Sequence, residues 1–357
     1  MDDWCLFRKN RLHATEGILD HLPPTQYELA GDTLMEAVAN LLVPAPSVKL
    51  VQFPNFSAIT GGFRPNEFTI LCGATGTGKT TLLANWSDAL ISQEIPHFVA
   101  SVETGRHDFV RRIISARIGK DWNTGDAIPL EEVRRTLNPP ELERIKNSKL
   151  YLSLYENRFS IEQLIHDIEY MVETHGVKVC FIDNLNFFME VTSAQQSVVE
   201  MDRVIHEMII FCKRCPVHVV MVMHPKKTMD GRVESEFDIK GSSTSVQESQ
   251  NVLLFNRPKQ EFIDQGLADY GDRELTIAKM RRRGSAVGTR MILSGIDGVK
   301  YLEGAMICRH KNKSDTTAPS TGSAQKLSQP IYRGVSNGSM SSMKMRGLKY
   351  QRGSSEE

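Results

Sequence analysis

Residues 67–85 read EFTILCGATGTGKTTLLAN, and this stretch decides the fold. The apolar run at 68–72 is typical of a buried strand, and residues 79–83 have helical spacing. Between them lies the pattern GxxxxGK[ST], whose glycines let the backbone curl so that its N–H groups face phosphate oxygens at a helix N-terminus. The stretch therefore predicts a strand, a phosphate-binding loop and a helix, and with them a site for a nucleoside triphosphate.

The pattern also predicts which residues hold the ligand, ATP or another NTP. In this motif the lysine, Lys79, reaches the β- and γ-phosphates, and the hydroxyl of Thr80 is a ligand for Mg²⁺. The full set expected around the phosphates is Gly73, Ala74, Thr75, Gly76, Thr77, Gly78, Lys79, Thr80 and Thr81.

Strand-like and helix-like segments alternate after the loop, which predicts an α/β fold with a largely parallel, twisted sheet flanked by helices. Long loops are expected at 225–247. Strands are predicted at 97–102, 150–154, 177–182, 217–223, 251–255, 275–279, 289–293 and 298–302. Helices are predicted at 106–118, 130–147, 161–175 (with Ser160 and Gln163 as a capping box) and 196–214.

The remaining sequence suggests three parts. Residues 1–50 form an N-terminal extension with a helix at about 33–42, which is ended by Pro44 and Pro46 and either packs on its own core or docks on a neighbouring copy. Residues 51–305 form the main domain. Residues 306–357 are rich in Ser, Gly, Lys and Arg, with nine basic and three acidic residues from 308 onward, and are expected to be disordered.

Overall composition limits the possible partners. The formal net charge is zero, so contact with nucleic acid must come from local basic loops. No apolar run is long enough for a membrane span, and we expect no membrane partner. Acidic residues near the start, such as Asp2 and Asp3, are unlike a signal or transit peptide.

Polar residues follow three of the predicted strands: Glu103, Asp183 and His224. The carboxyl ends of parallel strands meet at one edge of the sheet, where ligands bind. Asp183 has the position of the acid that supports Mg²⁺, and because Asn184 follows it, the base that activates water must come from elsewhere. Glu103 is the candidate base. His224 either senses the γ-phosphate or satisfies a loop backbone group.

Five further segments follow GATGTGKTT in order: SVET, VCFIDNLNFF, VVMVMHPKK, GSSTSVQESQNVLLF and IAKMRRRG. Over residues 50–303 this set resembles the motor domain of DnaB-type hexameric replicative helicases, most closely the branch of mitochondrial Twinkle and the T-odd phage helicases. The resemblance implies RecA-like P-loop NTPase domains in a homo-oligomeric, hexameric ring. Nucleotides then lie between subunits, and single-stranded DNA occupies the central channel.

The resemblance also implies roles for named residues. Lys79 and Thr80 bind phosphate and Mg²⁺, Asp183 supports the metal, and Glu103 is the catalytic base. His224 and Gln247 link the γ-phosphate to the DNA-facing loops. Lys279 and Arg281 reach the neighbouring subunit's nucleotide, with Arg281 as the arginine finger. The loop after KMRRR is one residue longer than in the family, which leaves Arg282 and Arg283 open as alternatives for the finger.

Basic loop residues are the expected contacts to DNA. The set is Lys226, Lys227, Arg232, Lys240, Gly241, Ser242 and Ser243, which would track phosphates without reading sequence and without a stacking aromatic. A replicative helicase would also meet a replication polymerase or a primase. The resemblance points to the mitochondrial matrix or nucleoid, with the cytoplasm as the alternative.

Other functions fit parts of the sequence. A RecA- or RadA-like recombinase shares the fold, but the KxR motif and the Gln-bearing loop favour a helicase. A nucleotide-binding ring or regulator with little hydrolysis would not need Glu103 and Arg281 together with Lys79. A small-molecule kinase has no evident use for Glu103 or for a basic loop that acts in trans.

Overall fold

The computed structural model describes residues 46–101, 103–122, 127–137, 139–155, 160–184, 194–226, 232–239 and 243–307, together with residues 30, 34 and 38; side chains at 194–197 and 243–245 are outside this description. The chain divides into two compact units, Met1–Ser47 and Val48–Glu357. In the first unit, Ala30, Leu34 and Val38 are helical. The rest of the predicted helix at 33–42, and the tail from residue 308, lie outside the described residues.

The main unit is built on one mixed sheet. Its strands are β1 (Glu67–Cys72), β2 (His97–Ser101), β3 (Leu150–Leu152), β4 (Val179–Asp183), β5 (His218–Met223), β6 (Asn251–Asn256), β7 (Arg273–Met280), β8 (Arg290–Ile296) and β9 (Lys300–Ile307). The spatial order is β3-β2-β4-β5-β1-β6-β7-β8-β9. Strands β1 to β6 pair in parallel, whereas β7, β8 and β9 pair antiparallel at one side. The predicted α/β class is therefore confirmed.

Helices flank both faces of this sheet. They are α1 (Pro54–Thr60), α2 (Lys79–Ser92), α3 (Arg106–Ile118), α4 (Leu130–Thr136), α5 (Pro139–Lys146), α6 (Ile161–His175), α7 (Ala194–Arg214), α8 (Ser243–Glu248) and α9 (Gln260–Asp264). None of the helices in the described part of the chain is both long enough and apolar enough to cross a membrane.

Parallel strands that are covered on both faces read as continuous apolar runs, and β1, β4 and β5 are buried along their whole length. Alternate side chains enter two different cores. Phe68 and Ile70 of β1 lie in the core under α6 and α7, while Leu71 lies in the core under α2 and α3. The sheet is thus fixed from both sides, and its carboxyl edge is a rigid platform for the loops that follow β1, β2, β4 and β5.

Several predicted boundaries are wrong, for physical reasons. The single helix predicted at 130–147 is two helices, because Pro139 has no N–H to continue a helix and instead starts α5. Loops predicted across 225–247 contain a 3₁₀ turn at Glu236–Asp238 and helix α8. Ser160 caps α6 by accepting from Gln163 N, but the Gln163 side chain donates to Asp167 and does not complete a capping box.

Candidate functional site

The phosphate loop joins β1 to α2, and its shape depends on glycine. Gly76 and Gly78 have φ values of 76° and 91°, in the left-handed region that glycine adopts without strain. A Cβ at Gly78 would lie 2.4 Å from the hydroxyl of Tyr301. Arg273 donates from Nε to the carbonyl of Thr77 at 2.7 Å, which holds the loop from the side of β7. Contacts within the domain therefore fix the shape of the loop.

Lys79 occupies the inside of this loop. Its Nζ donates to the carbonyls of Gly73 at 2.7 Å and Ala74 at 2.9 Å, and the residue is only 6% exposed. Burial lowers the pKa of Lys79, and the nearby carboxylates of Asp183 and Glu103 partly oppose this. A buried ammonium costs desolvation energy that a bound anion offsets. The chemistry of the site thus fits a phosphate.

Two oxygen ligands meet beside Lys79. The hydroxyl of Thr80, at the start of α2, donates to Oδ2 of Asp183, the last residue of β4, at 2.6 Å. Asp183 is 2% exposed, and its burial raises its pKa above the usual range of an aspartate. Hard oxygen ligands next to a phosphate site are what Mg²⁺ binds. This pair therefore fits a magnesium ion.

Glu103 and His224 are held by a residue that lies between them. Asn184, immediately after Asp183, donates from Nδ2 to Oε2 of Glu103, and the same nitrogen lies 3.1 Å from Nε2 of His224. Since an amide nitrogen can only donate, Nε2 of His224 accepts here. Four strand ends thus bring Lys79, Asp183, Glu103 and His224 together at the carboxyl edge of the sheet.

Arg112 of α3 is a second cation near this edge. Its charge acts on Asp183, where it opposes the rise in pKa. The Nε of Arg112 is buried and has no hydrogen-bond partner among the described residues. Together with Lys79 it makes the edge favourable to anions.

A cavity of about 690 Å³ opens beside the phosphate loop. One wall is the loop itself, and the other consists of Arg232, Glu234 and the segment after β6. The lining residues are Ala74, Thr75, Gly76, Thr77, Arg232, Glu234, Asn256, Arg257, Pro258, Lys259, Gln260 and Glu261. This volume is within the range of small-molecule pockets, so the cavity can hold the nucleoside part of a triphosphate.

Lys279 and Arg281 lie at the opposite edge of the sheet from the phosphate loop, where the parallel strands begin. Strand β7 runs antiparallel to β6, pairing Asn256 with Glu274 near the phosphate loop and Asn251 with Met280 at the far end. The length of β6 separates these two pairs by roughly 17 Å. Lys279 and Arg281, at the end of β7, therefore cannot reach the phosphate loop of their own chain.

Gln247 belongs to that opposite edge. Its carbonyl accepts from Nζ of Lys279 and, at 2.9 Å, from the guanidinium of Arg281. The structure does not bring Gln247 to the phosphate edge of its own chain, and the link between the γ-phosphate and the DNA-facing loops that the resemblance implied for it stays a prediction. The physical reason for this placement is that α8 precedes β6, so its end lies at the amino end of the parallel strands.

The neighbouring arginines contact their own domain. Nε of Arg282 lies 2.9 Å from a carboxylate oxygen of Glu67, and Arg283 donates to the carbonyl of Ala58 at 2.6 Å. Arg281 is exposed at the end of β7.

Comparison with known proteins agrees with this geometry. The model of the family "DnaB-like helicase C terminal domain" matches residues 50–293. The chain belongs to this family. Two solved structures are similar in fold, each with a TM-score of 0.61 and 14% identity over 78% of this chain. One is an ATPase domain, of which 99% is covered, and the other is a DnaB-like replicative helicase described with its primase interactions, of which 67% is covered.

The predicted DNA-contacting residues differ in their exposure and in their contacts within this DnaB-like domain. Lys226 is exposed after β5. Arg232 is mostly buried: it lies 2.7 Å from Glu274 and 2.6 Å from Glu234 and also donates to the carbonyl of Arg257. Its guanidinium is engaged in this ion pair network, so Arg232 is a poor candidate for contacting DNA. Lys227 and residues 240–242 lie outside the described residues, and Ser243 is described only as the start of α8.

Sequence reasoning missed three residues at the DnaB-like phosphate edge. In the sequence, Asn184 indicates only that no second acid follows Asp183, and not that its side chain contacts Glu103 and His224. Arg112 and Arg273 carry no local pattern of their own, since each becomes relevant through a contact made across the fold. Nothing in the sequence of α3 distinguishes Arg112 from the other arginines of that helix.

Proposed function

We propose that this chain is a subunit of a ring-forming, hexameric DNA helicase that hydrolyses NTP, translocates on single-stranded DNA and unwinds duplex DNA during replication. One observation carries the proposal. The phosphate edge holds Lys79, Thr80, Asp183 and Glu103, whereas Lys279 and Arg281 lie at the opposite edge of the sheet. We infer that a second copy supplies the basic residues that complete the site.

In this proposal each residue has a chemical role. Thr80 and Asp183 hold Mg²⁺, which neutralises charge on the β- and γ-phosphates when bound. Lys79 binds the same phosphates. Glu103 orients the attacking water and accepts its proton. His224 faces the γ-phosphate from the end of β5.

Arg281 is the proposed arginine finger, with Lys279 beside it. It is exposed and donates to a backbone carbonyl, whereas Arg282 is paired with Glu67 and Arg283 is bound to the α1 backbone. An arginine supplied in trans stabilises the charge of the phosphoryl transition state. Closure of the interface between copies would thus control hydrolysis.

The proposed DNA-contacting set is Lys226, Lys227, Lys240, Gly241, Ser242 and Ser243. Contacts of this kind grip phosphates, so binding should be indifferent to sequence and weaken steeply with salt. An affinity for single strands that is unchanged from low to high salt would contradict this part of the proposal.

The direct test is an unwinding assay on a forked duplex with NTP and Mg²⁺, run beside electron microscopy. Rings and strand separation are the expected results. Filaments with strand exchange would instead support the recombinase alternative, and rings without hydrolysis would support a regulator. Deletion of residues 1–45 should weaken the ring in light scattering, because we assign the helix at 33–42 to docking on the adjacent subunit.

We also propose membership of the Twinkle-like branch and residence in the mitochondrial matrix or nucleoid, on the strength of the resemblance of the five ordered segments that follow GATGTGKTT. A replication polymerase or a primase is the proposed protein partner. Microscopy of the tagged protein in cells tests the compartment, and a cytoplasmic signal would contradict it.

A further inference from the structure

Asn184 is the residue whose contacts the proposed function leaves without a role. It lies at the end of β4 and is 3% exposed. The two hydrogens of its amide nitrogen can serve two acceptors, and two acceptors lie within reach: Oε2 of Glu103 and, at 3.1 Å, Nε2 of His224. A buried amide with both hydrogens engaged is fixed in orientation.

We propose that Asn184 is a positioning residue that holds the Glu103 carboxylate in place for attack by water and couples that position to His224. The inference rests on the proposed function and assigns a role within the same site. Glu103 comes from the end of β2 and His224 from the end of β5, and β4 lies between these two strands in the sheet. Asn184 therefore contacts two residues, Glu103 and His224, that are distant in sequence and follow different strands.

His224 in turn continues into a DNA-facing segment. The next residue, Pro225, forms a β-bridge with Ile239, and Lys226 N donates to the carbonyl of Asp238 at 2.6 Å. Residues 240–243, the proposed DNA contacts, follow directly. In the proposal, DNA bound at Lys226 would act on the end of β5, and the contact between His224 and Asn184 would carry that change to Glu103.

The chemistry also explains why an amide suits this position. A carboxylate at residue 184 would repel Glu103 and could not donate to it. An alanine would remove the donor that Glu103 and His224 share, and the Glu103 carboxylate, which is exposed, could then turn toward solvent. An amide of this size donates to Glu103 without adding a second negative charge beside it.

The test uses the full chain and two variants. Asn184→Asp keeps the volume but removes the donor, and Asn184→Ala removes both. Each should lower kcat of DNA-stimulated hydrolysis about 100-fold, since a misplacement of about 1 Å costs this much. The KM and the dissociation constant of a fluorescent NTP analogue should change less than about twofold, because the phosphate contacts of Lys79 remain. The ratio of DNA-stimulated to basal hydrolysis should fall toward one.

A matched control is Asn147→Ala. Asn147 also donates from Nδ2 to a glutamate, Glu143, at 3.1 Å, but on the exposed surface after α5. This variant should hydrolyse NTP like the wild type.

Two results would overturn the inference. One is wild-type kcat and DNA stimulation in Asn184→Asp; the other is a parallel loss of NTP binding and kcat, which indicates a structural role. Glu103→Gln separates this failure from failure of the proposed function. If the wild type hydrolyses NTP, Glu103→Gln abolishes it and Asn184→Asp does not, only the role of Asn184 is refuted. A wild type without hydrolysis overturns both.

Discussion

Replacing Arg232 by alanine should destabilise the domain and leave DNA binding intact. Glu274 is fully buried, and its closest cation is Arg232, at 2.7 Å. Removing one partner of a buried ion pair costs about 3–5 kcal/mol, because the other charge is left uncompensated. Arg290 remains 3.7 Å from Glu274, so the loss should lie near the lower limit, about 3 kcal/mol.

Urea unfolding and calorimetry measure this loss. At about 2 °C per kcal/mol for a large domain, Tm should fall by about 6 °C. Adding Glu274→Gln to Arg232→Ala should recover most of the lost stability, because it removes the uncompensated charge. The affinity for single-stranded DNA, measured on folded protein, should not change.

Lys226→Ala is the matched control for this experiment. Lys226 is exposed, so its replacement should change the free energy of unfolding by less than about 0.5 kcal/mol. Loss of one phosphate contact should instead reduce the slope of log K for single-stranded DNA binding against log[salt] by about 0.7. If Arg232→Ala keeps its stability and instead shows the reduced salt slope, the assignment of Arg232 to the ion pair network is refuted.

Three further predictions concern the site and the sheet. Glu103→Gln should reduce hydrolysis by about 10²–10⁴-fold while a fluorescent NTP analogue still binds; undiminished turnover would exclude Glu103 as the base. Burial raises the pKa of Asp183, so in the metal-free protein stability is lost as pH rises through that pKa and the buried carboxyl ionises. Asp183→Asn should therefore raise the Tm of the metal-free protein at neutral pH while it abolishes hydrolysis. A lowered Tm would contradict this. Burial lowers the pKa of His97 and of His218 to about 4, so both stay neutral in the fold while the unfolded chain gains protons below about 6.5. Stability should then fall as pH drops from about 6.5 to about 4, by up to roughly 1.4 kcal/mol per pH unit for each histidine, and His97→Phe should reduce that slope.

Local sequence was enough to predict where several of the candidate site residues lie in the fold. The phosphate loop is a strand, a turn and a helix start within residues 67–81, so its local pattern was enough to predict where Lys79 and Thr80 lie. Glu103, Asp183 and His224 could be placed at one edge because parallel strands all end there. The resemblance to the family then predicted a fold that the family match confirms.

Contacts between distant segments could not be read from the sequence. Arg232 looks like a basic loop residue, and only the fold places it against Glu274, 42 positions later. The resemblance implied that Gln247 links the γ-phosphate to the DNA-facing loops, and only the fold shows that it lies beside Lys279 and Arg281, away from the phosphate loop of its own chain. Asn184 gains its contacts to Glu103 and His224 only when three strands lie side by side. Each of these depends on tertiary neighbours that no local pattern encodes.

The central claim is that the hydrolysis site is completed by a second copy, and mixing two inactive variants tests it most directly. Glu103→Gln lacks the base but keeps Arg281, whereas Arg281→Ala keeps Glu103. In a mixed ring, an interface that pairs Glu103 of one subunit with Arg281 of the other is intact. Random mixing of equal amounts makes about a quarter of the interfaces intact in a closed ring. We predict that each variant alone is inactive and that DNA-stimulated hydrolysis returns on mixing. Mixed rings that remain as inactive as the separate variants would contradict a site shared between subunits.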